Sequence, residues 1–121
     1  MANKHVLLVD DEPISLKVLV SKVRGAGYDV KECDSGECAW EALQSDAHFD
    51  VIVLDRIMPG LDGMALLQKI QADARLAHIP IIMLTAVDDS DEIIEAISAG
   101  VFDYLTKPVD GDRLLDLLKA L

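Results

Sequence analysis

The sequence predicts an α/β fold with a doubly wound parallel sheet of five strands and five helices. The helices lie on both faces of the sheet, which makes a three-layer αβα sandwich. One observation behind this prediction is that short apolar runs alternate with segments whose apolar residues recur every three or four positions. The other is that the runs 51–54 and 79–84 are apolar throughout, which is typical of strands buried on both faces. Parallel strands in such a series require right-handed crossovers, which the intervening helices supply.

Length and composition favour a single domain that spans residues 1–121, because 51% of the residues are hydrophobic and can form one core. No apolar run approaches the roughly 20 residues that cross a membrane. Polar Asn3 and charged Lys4 stand where a secretory signal would begin, so we expect a cytoplasmic protein. The net charge of −11 repels phosphate backbones, so we expect no direct binding of nucleic acid. Cys33 and Cys38 are expected to be reduced, structural thiols.

The first half of the chain contains two predicted strands, each followed by a helix. The first strand covers 6–9, and Pro13 suits the first turn of the helix after it. The second strand, 28–33, is interrupted by charged residues, as is usual for a strand at the edge of a sheet. Ser35 then suits the N-cap of the second helix. The apolar faces of these two helices are predicted from Ile14, Val18 and Val23 in the first, and from Ala39, Trp40 and Leu43 in the second.

The second half contains three more strands and three more helices. Two central strands are predicted at 51–54 and 79–84, and a fifth strand at 101–106. Gly100 is expected to end the fourth helix. Leu115 falls outside the apolar stripe of the last helix and is a candidate for a dimer or docking face. The helices are predicted from Met64, Leu67 and Ile70, from Ile93, Ile94 and Ile97, and from Leu114, Leu117, Leu118 and Leu121.

Polar side chains that can carry chemistry follow the predicted strands. In a parallel sheet of this kind, the carboxyl ends of the strands meet at one edge, where ligands bind. If the first and third strands are neighbours, as in the flavodoxin-like order 2-1-3-4-5, several carboxylates are forced together. Such carboxylates raise one another's pKa unless a cation neutralises them, and oxygen ligands of this kind suit Mg²⁺. The residues at this edge are Asp10, Asp11, Glu12, Asp55, Thr85 and Lys107.

Asp55 differs from the other acids of this edge, because it ends a buried central strand. A carboxylate beside a metal ion and a lysine ammonium group is able to attack phosphorus and form an acyl phosphate. Lys107 would supply the compensating positive charge, and Thr85 a hydroxyl donor to a phosphoryl oxygen. The residues therefore predict a site for phosphoryl transfer.

Four motifs carry a resemblance to a known family. They are Val-Leu-Leu-Val-Asp-Asp-Glu-Pro at 6–13, Val-Leu-Asp-Arg-Ile-Met-Pro-Gly-Leu-Asp-Gly at 53–63, Ile-Ile-Met-Leu-Thr-Ala at 81–86 and Asp-Tyr-Leu-Thr-Lys-Pro at 103–108. With these motifs the chain resembles the response-regulator receiver domains of two-component signal transduction, and the match runs from the first strand to the last helix.

The resemblance implies that Asp55 accepts a phosphoryl group from a sensor histidine kinase or a histidine phosphotransfer protein. It implies Mg²⁺ held by Asp10 or Asp11, by Asp55 and by the backbone carbonyl of Ile57, with Lys107 and Thr85 at the phosphoryl group. It also implies a cis peptide bond before Pro108 and a switch in which Tyr104 turns inward as Thr85 moves.

The surface expected to change with this switch is formed by the fourth helix, the fifth strand and the fifth helix, and a homodimer through the same surface is a further expectation. Two modes of action stay open: the chain acts alone, as a phosphorelay shuttle or by docking to a downstream target, or it is the front part of a longer regulator whose output domain is missing here. The resemblance also implies a signalling domain that assists its own phosphorylation and dephosphorylation without turnover of a substrate.

Arg56 follows the acceptor where the family usually has an apolar residue; it would either engage a partner or extend into solvent, and we expect the second. A Mg²⁺-dependent aspartate-nucleophile phosphatase would share the Asp, Thr and Lys residues. It would need an acid two residues after the nucleophile, where this chain has Ile57. A flavin-binding protein would share the fold, but its phosphate-binding first loop is replaced here by Asp-Asp-Glu.

Overall fold

The fold is that of a computed structural model, which describes residues 4–45, 48–58, 60–85 and 90–121, with only the backbone of residue 92. Strands and helices alternate along these residues. Their order is β1 (His5–Val9), α1 (Pro13–Gly25), β2 (Asp29–Cys33), α2 (Gly36–Gln44), β3 (Val51–Asp55), α3 (Gly63–Ala72), β4 (Ile81–Thr85), α4 (Ser90–Ser98), β5 (Asp103–Thr106) and α5 (Gly111–Lys119). None of these helices is long and apolar enough to cross a bilayer.

The five strands form one parallel sheet in the order β2-β1-β3-β4-β5. The predicted α/β fold and its flavodoxin-like strand order are therefore confirmed. From β1 the chain first adds β2 on one side and then adds β3, β4 and β5 on the other. This reversal places a crevice at the carboxyl ends of β1 and β3, the position at which such sheets bind ligands.

Apolar side chains pack on both faces of the sheet, which makes three layers. On one face, Leu7 and Ile52 of the central strands pack with residues of α2, α3 and α4. On the other face, Leu8 and Val53 pack with residues of α1 and α5. Because β1, β3 and β4 contribute to both clusters, they are buried on both sides, as their continuous apolar sequence predicts.

The predicted inner faces of α1 and α4 are partly wrong. In α1, Ile14 is 79% exposed and Val18 is 61% exposed. The buried residues of α1 are Leu16, Leu19, Val20 and Val23, so of the predicted stripe only Val23 faces the core. The helix carries two aliphatic stripes at helical spacing, and the sheet covers only one of them.

In α4, Ile94 and Ile97 are exposed, Ile93 is half-buried and the small side chain of Ala96 is fully buried. Ala96 lets the helix approach the core closely, which turns the larger isoleucines outward. In α5, Leu114 and Leu118 are buried, as expected. Leu115 is half-buried against the cluster on the α1 side, so it is less available for docking than its place outside the stripe indicates.

Local signals at the element ends agree with the structure more closely. The side chain of Ser35 caps α2 by accepting a hydrogen bond from the N–H of Cys38. The strands β2, β4 and β5 begin one or two residues later than predicted. Before β2 and β4, the N–H groups of Tyr28 and Ile79 bond back to Val23 and Leu76, so these residues belong to turns. Cys33 is buried, Cys38 is half-buried, and both thiols are free.

Candidate functional site

The residues predicted to carry chemistry meet at the carboxyl edge of the sheet. Asp10 follows β1, Asp55 ends β3 and Thr85 ends β4. All three are buried polar residues, with 0%, 3% and 1% of their surface exposed. Because β1, β3 and β4 are adjacent, parallel and in register, these side chains come together although they are far apart in the chain.

Lys107 lies between the acidic side chains. Its Nζ is 2.8 Å from Oδ2 of Asp55, 3.4 Å from Oδ1 of Asp10 and 3.7 Å from Oε1 of Glu12. The backbone N–H of Lys107 donates a hydrogen bond of 2.8 Å to the carbonyl of Thr85. The Lys107–Pro108 peptide bond is cis, as the resemblance implies. The ammonium group therefore compensates several carboxylates at once.

Asp10 is held in place through both of its carboxylate oxygens. The hydroxyl of Ser15 donates to Oδ2 at 2.7 Å, and the backbone N–H of Glu12 donates to Oδ1 at 3.0 Å. These bonds offset the cost of burying the carboxylate. The role of Ser15 was not predicted, since its only sequence signal is a position one turn into α1.

Asp55 has the environment expected of a reactive carboxylate. Burial raises its pKa to about 7; the hydrogen bond and charge of Lys107 oppose this rise, and Asp10 adds to it. For Lys107 itself, burial lowers the pKa, but its bond to Asp55 and the surrounding acids outweigh that effect and raise the pKa overall. Lys107 therefore stays protonated, and its positive charge stabilises the ionised form of the buried Asp55 carboxylate.

The acidic residues fit a hard divalent cation. One carboxylate oxygen from each of Asp10, Asp11 and Asp55 lies within 4.8 Å of the others. Mg²⁺ takes oxygen ligands at about 2.0–2.1 Å and completes its shell with water and phosphate, so a group of carboxylate oxygens this close together suits it. The N–H of Ile57 points at Oδ1 of Asp55, at 3.4 Å, whereas the part predicted for the Ile57 carbonyl stays a prediction.

Thr85 and Tyr104, the two predicted switch residues, lie on the neighbouring strands β4 and β5. Thr85 pairs with Thr106 in the neighbouring strand, and Tyr104 lies two residues before that partner. Tyr104 is half-buried and packs against the core cluster on the α4 side. A depression of about 670 Å³ next to it is lined by residues of α4, β5 and α5, including Ile93 and Arg113. The inward turn of Tyr104 stays a prediction.

Arg56 corrects one expectation. It begins the acceptor loop, residues 56–62 between β3 and α3, of which residue 59 lies outside the described residues. Its side chain is only 14% exposed, and Nη2 lies 3.2 Å from Oε2 of Glu95 in α4. The expected extension into solvent is therefore wrong, because α4 places a carboxylate over the loop.

Comparisons with known proteins agree with this geometry. The family profile "Response regulator receiver domain" matches residues 6–119. Over 117 residues the chain is 37% identical to the chemotaxis protein CheY of Pseudomonas aeruginosa, covering 96% of this chain and 94% of that one. It is 35% identical to the DNA-binding transcriptional regulator RpaA of Synechocystis, and this match spans 97% of the chain but about half, 48%, of that relative.

A solved structure of a response regulator from Chloroflexus aurantiacus superposes with a TM-score of 0.92 at 33% identity, covering 98% of this chain and 97% of that one. Receiver domains are signalling domains of two-component systems that interact with histidine kinases and output domains, and they typically bind Mg²⁺. The chain belongs to the response regulator receiver domain family.

Proposed function

We propose that this domain is a phosphorylation-activated switch that accepts a phosphoryl group on Asp55 from a sensor histidine kinase or a histidine phosphotransfer protein. The observation that carries the proposal is the contact of 2.8 Å between Lys107 Nζ and the buried Asp55 carboxylate. Carboxylate oxygens of Asp10 and Asp11 lie within 4.8 Å of one of Asp55. Asp10, Asp11, Asp55 and the carbonyl of Ile57 would hold Mg²⁺, whose chemistry is to neutralise the charge of the phosphoryl group.

In the proposed transfer, an oxygen of Asp55 attacks the phosphorus of a phosphohistidine. A P–O bond forms, the P–N bond breaks, and the imidazole leaves with the electron pair of that bond. The ammonium group of Lys107 and the hydroxyl of Thr85 contact the phosphoryl oxygens, where negative charge accumulates.

The signal is proposed to arise from the charge that the phosphoryl group adds, about −1.5 to −2, together with its acceptor oxygens. Thr85 moves toward these oxygens, and Tyr104 turns into the space that Thr85 leaves. The surface that changes is formed by α4, β5 and α5, and it would bind a downstream target, an output domain or a second copy of the domain. Sedimentation velocity with and without phosphorylation tests the homodimer, which an unchanged monomer would contradict.

The test of the proposed acceptor is Asp55→Asn, with acetyl phosphate and MgCl₂ as the phosphodonor mixture and the intact mass as the readout. We expect the unmodified sequence to gain one phosphoryl group and Asp55→Asn to gain none. Asp116→Asn, which removes an exposed carboxylate from α5, serves as the matched control and should be phosphorylated normally. Undiminished phosphorylation of Asp55→Asn would refute the assignment.

The alternative, a Mg²⁺-dependent aspartate-nucleophile phosphatase, has the same Asp, Thr and Lys residues. Such an enzyme needs a proton donor two residues after the nucleophile, and the hydrocarbon side chain of Ile57 supplies none. We therefore expect a signalling domain that releases no phosphate from an aryl phosphate over many turnovers. Sustained release would favour the phosphatase. The cytoplasmic location and the lack of direct nucleic-acid binding stay predictions.

A further inference from the structure

The first turn of α2 contacts the acceptor loop directly. Oε1 of Glu37 accepts a hydrogen bond of 2.8 Å from the backbone N–H of Leu61, across a separation of 24 residues. Glu37 is exposed, so its carboxylate is not needed for the core. The same bond lowers the pKa of Glu37, which keeps the carboxylate ionised as an acceptor.

Two glycines allow this close approach. A Cβ on Gly36 would lie 2.0 Å from the carbonyl oxygen of Leu61, so any side chain there would push the loop away. On the other side of the contact, Gly60 has a φ of +75°, and a Cβ on it would lie 2.6 Å from Oε1 of Glu37. The contact therefore depends on glycines from both segments.

The loop that Glu37 contacts also forms one side of the phosphoacceptor site. At its start, the N–H of Arg56 bonds to the carbonyl of Leu84, and at its end Asp62 caps α3. Between these anchors, the N–H of Ile57 faces Asp55. The bond from Leu61 to Glu37 of α2 adds an anchor within the loop.

We propose that Glu37 is a positioning residue, which holds the acceptor loop through Leu61 so that the backbone of Ile57 stays beside Asp55. The inference rests on the proposed function, in which this backbone helps to hold Mg²⁺. Outer residues that orient metal ligands commonly change metal affinity by about 10-fold or more when they are replaced. Loss of the Glu37 bond therefore lowers Mg²⁺ affinity without removal of any ligand.

The competing explanation is that Glu37 attracts the cation only through its negative charge. Glu37→Gln separates the two effects, because glutamine retains an acceptor oxygen but has no charge. Glu41→Ala is the matched control, since Glu41 is an exposed acid one turn further along α2 and lines a different depression beside His5.

The experiment is calorimetric titration of the full chain with MgCl₂, together with amide hydrogen exchange at Leu61 and Ile57 without metal. For Glu37→Ala we expect Mg²⁺ affinity to fall about 10-fold, and exchange at both amides to accelerate. Glu37→Gln and Glu41→Ala should each bind within about twofold of the unmodified sequence, since one retains the bond and the other never made it.

Equal affinity of Glu37→Ala and the unmodified sequence would overturn the inference. Equal weakening in Glu37→Ala, Glu37→Gln and Glu41→Ala would also overturn it, because charge alone would then explain the loss. If the unmodified sequence bound no Mg²⁺, the proposed function would fail instead. Hydrogen exchange would then show whether Glu37 positions the backbone of Ile57. Faster exchange at Ile57 in Glu37→Ala would support that role, and unchanged exchange would reject it.

Discussion

The central residue of this molecule is a carboxylate that folding places where its charge is costly. Asp55 is nearly fully buried beside Asp10, and only Lys107 compensates the two among the described side chains. Asp10 is stabilised by hydrogen bonds from Ser15 and from the backbone of Glu12, whereas the Asp55 oxygens face Lys107 and a weak contact from Ile57. Of the two buried carboxylates, Asp55 therefore gains more from an added cation.

This environment predicts a pH dependence of stability in the absence of metal. The pKa of Asp55 is about 7 in the folded state and near 3.9 in an unfolded chain, so the folded state binds the extra proton between these values. The stability that this proton contributes is complete below about pH 4 and is lost as the pH rises through about 7. At pH 8, the free energy of unfolding of Asp55→Asn should therefore exceed that of the unmodified sequence by on the order of 2 kcal/mol. At pH 4 this difference should be smaller.

Urea unfolding in EDTA at pH 4 and pH 8 measures this difference, with Asp116→Asn as a control that removes an exposed charge. The control should follow the unmodified sequence at both pH values. The stability difference between Asp55→Asn and the unmodified sequence is expected to grow from pH 4 to pH 8. A difference that stays the same would mean that burial does not destabilise the charged form of Asp55.

At the scale of elements, each helix buries one stripe, and α1 buries the longer of its two aliphatic stripes. The buried residues recur at i, i+3, i+4 and i+7, whereas the exposed stripe has only Ile14 and Val18, so the apolar pattern favours the face that is buried and the predicted face was the wrong choice. The sheet and α5 cover Leu16, Leu19, Val20 and Val23, and they leave Ile14 and Val18 in solvent. Caps were easier to predict, because Ser35 and Cys38 interact within one turn of chain.

The two stripes of α1 should differ in their contribution to stability. Leu19→Ala removes a side chain that is 3% exposed and should lower the free energy of unfolding by about 2–5 kcal/mol. Ile14→Ala removes a side chain that is 79% exposed and should change it by less than about 0.5 kcal/mol. Chemical denaturation compares the two variants directly, and a similar loss for both would contradict the difference in burial between the two side chains.

At the scale of the whole molecule, the dominant electrostatic property is the net charge of −11, which disfavours the compact state through repulsion. Among the described residues, Asp10, Asp11 and Asp55 crowd together at the carboxyl ends of β1 and β3. Salt screens the general repulsion, whereas a bound divalent cation acts at this one place. The two contributions are therefore separable by experiment.

We expect MgCl₂ to raise the free energy of unfolding more than NaCl does at the same ionic strength. At a free Mg²⁺ concentration of 100 times Kd, the excess should approach about 2.7 kcal/mol. Asp11→Asn should lose most of this excess, and Asp11 is the suitable position because it is half-buried and its replacement leaves the hydrogen bonds of Asp10 intact. Thermal unfolding in the two salts provides the measurement, and identical curves would argue against a specific site.

The sequence by itself determined the alternation of strands and helices, the parallel sheet and the edge at which Asp10, Asp55, Thr85 and Lys107 gather. These features follow from local patterns, since a buried strand shows its own apolar run and parallel strands end on the same side. The motifs also carried the resemblance to receiver domains, which the family match confirms.

Only the tertiary structure decided where the Arg56 guanidinium lies and how Glu37 reaches Leu61. Each of these depends on the distance and rotation between elements that are remote in the chain. Helical spacing identifies the residues that share a face, but it does not specify what covers that face. The partners of Arg56 and Glu37 lie 39 and 24 residues away, and only packing of the complete fold brings them into contact.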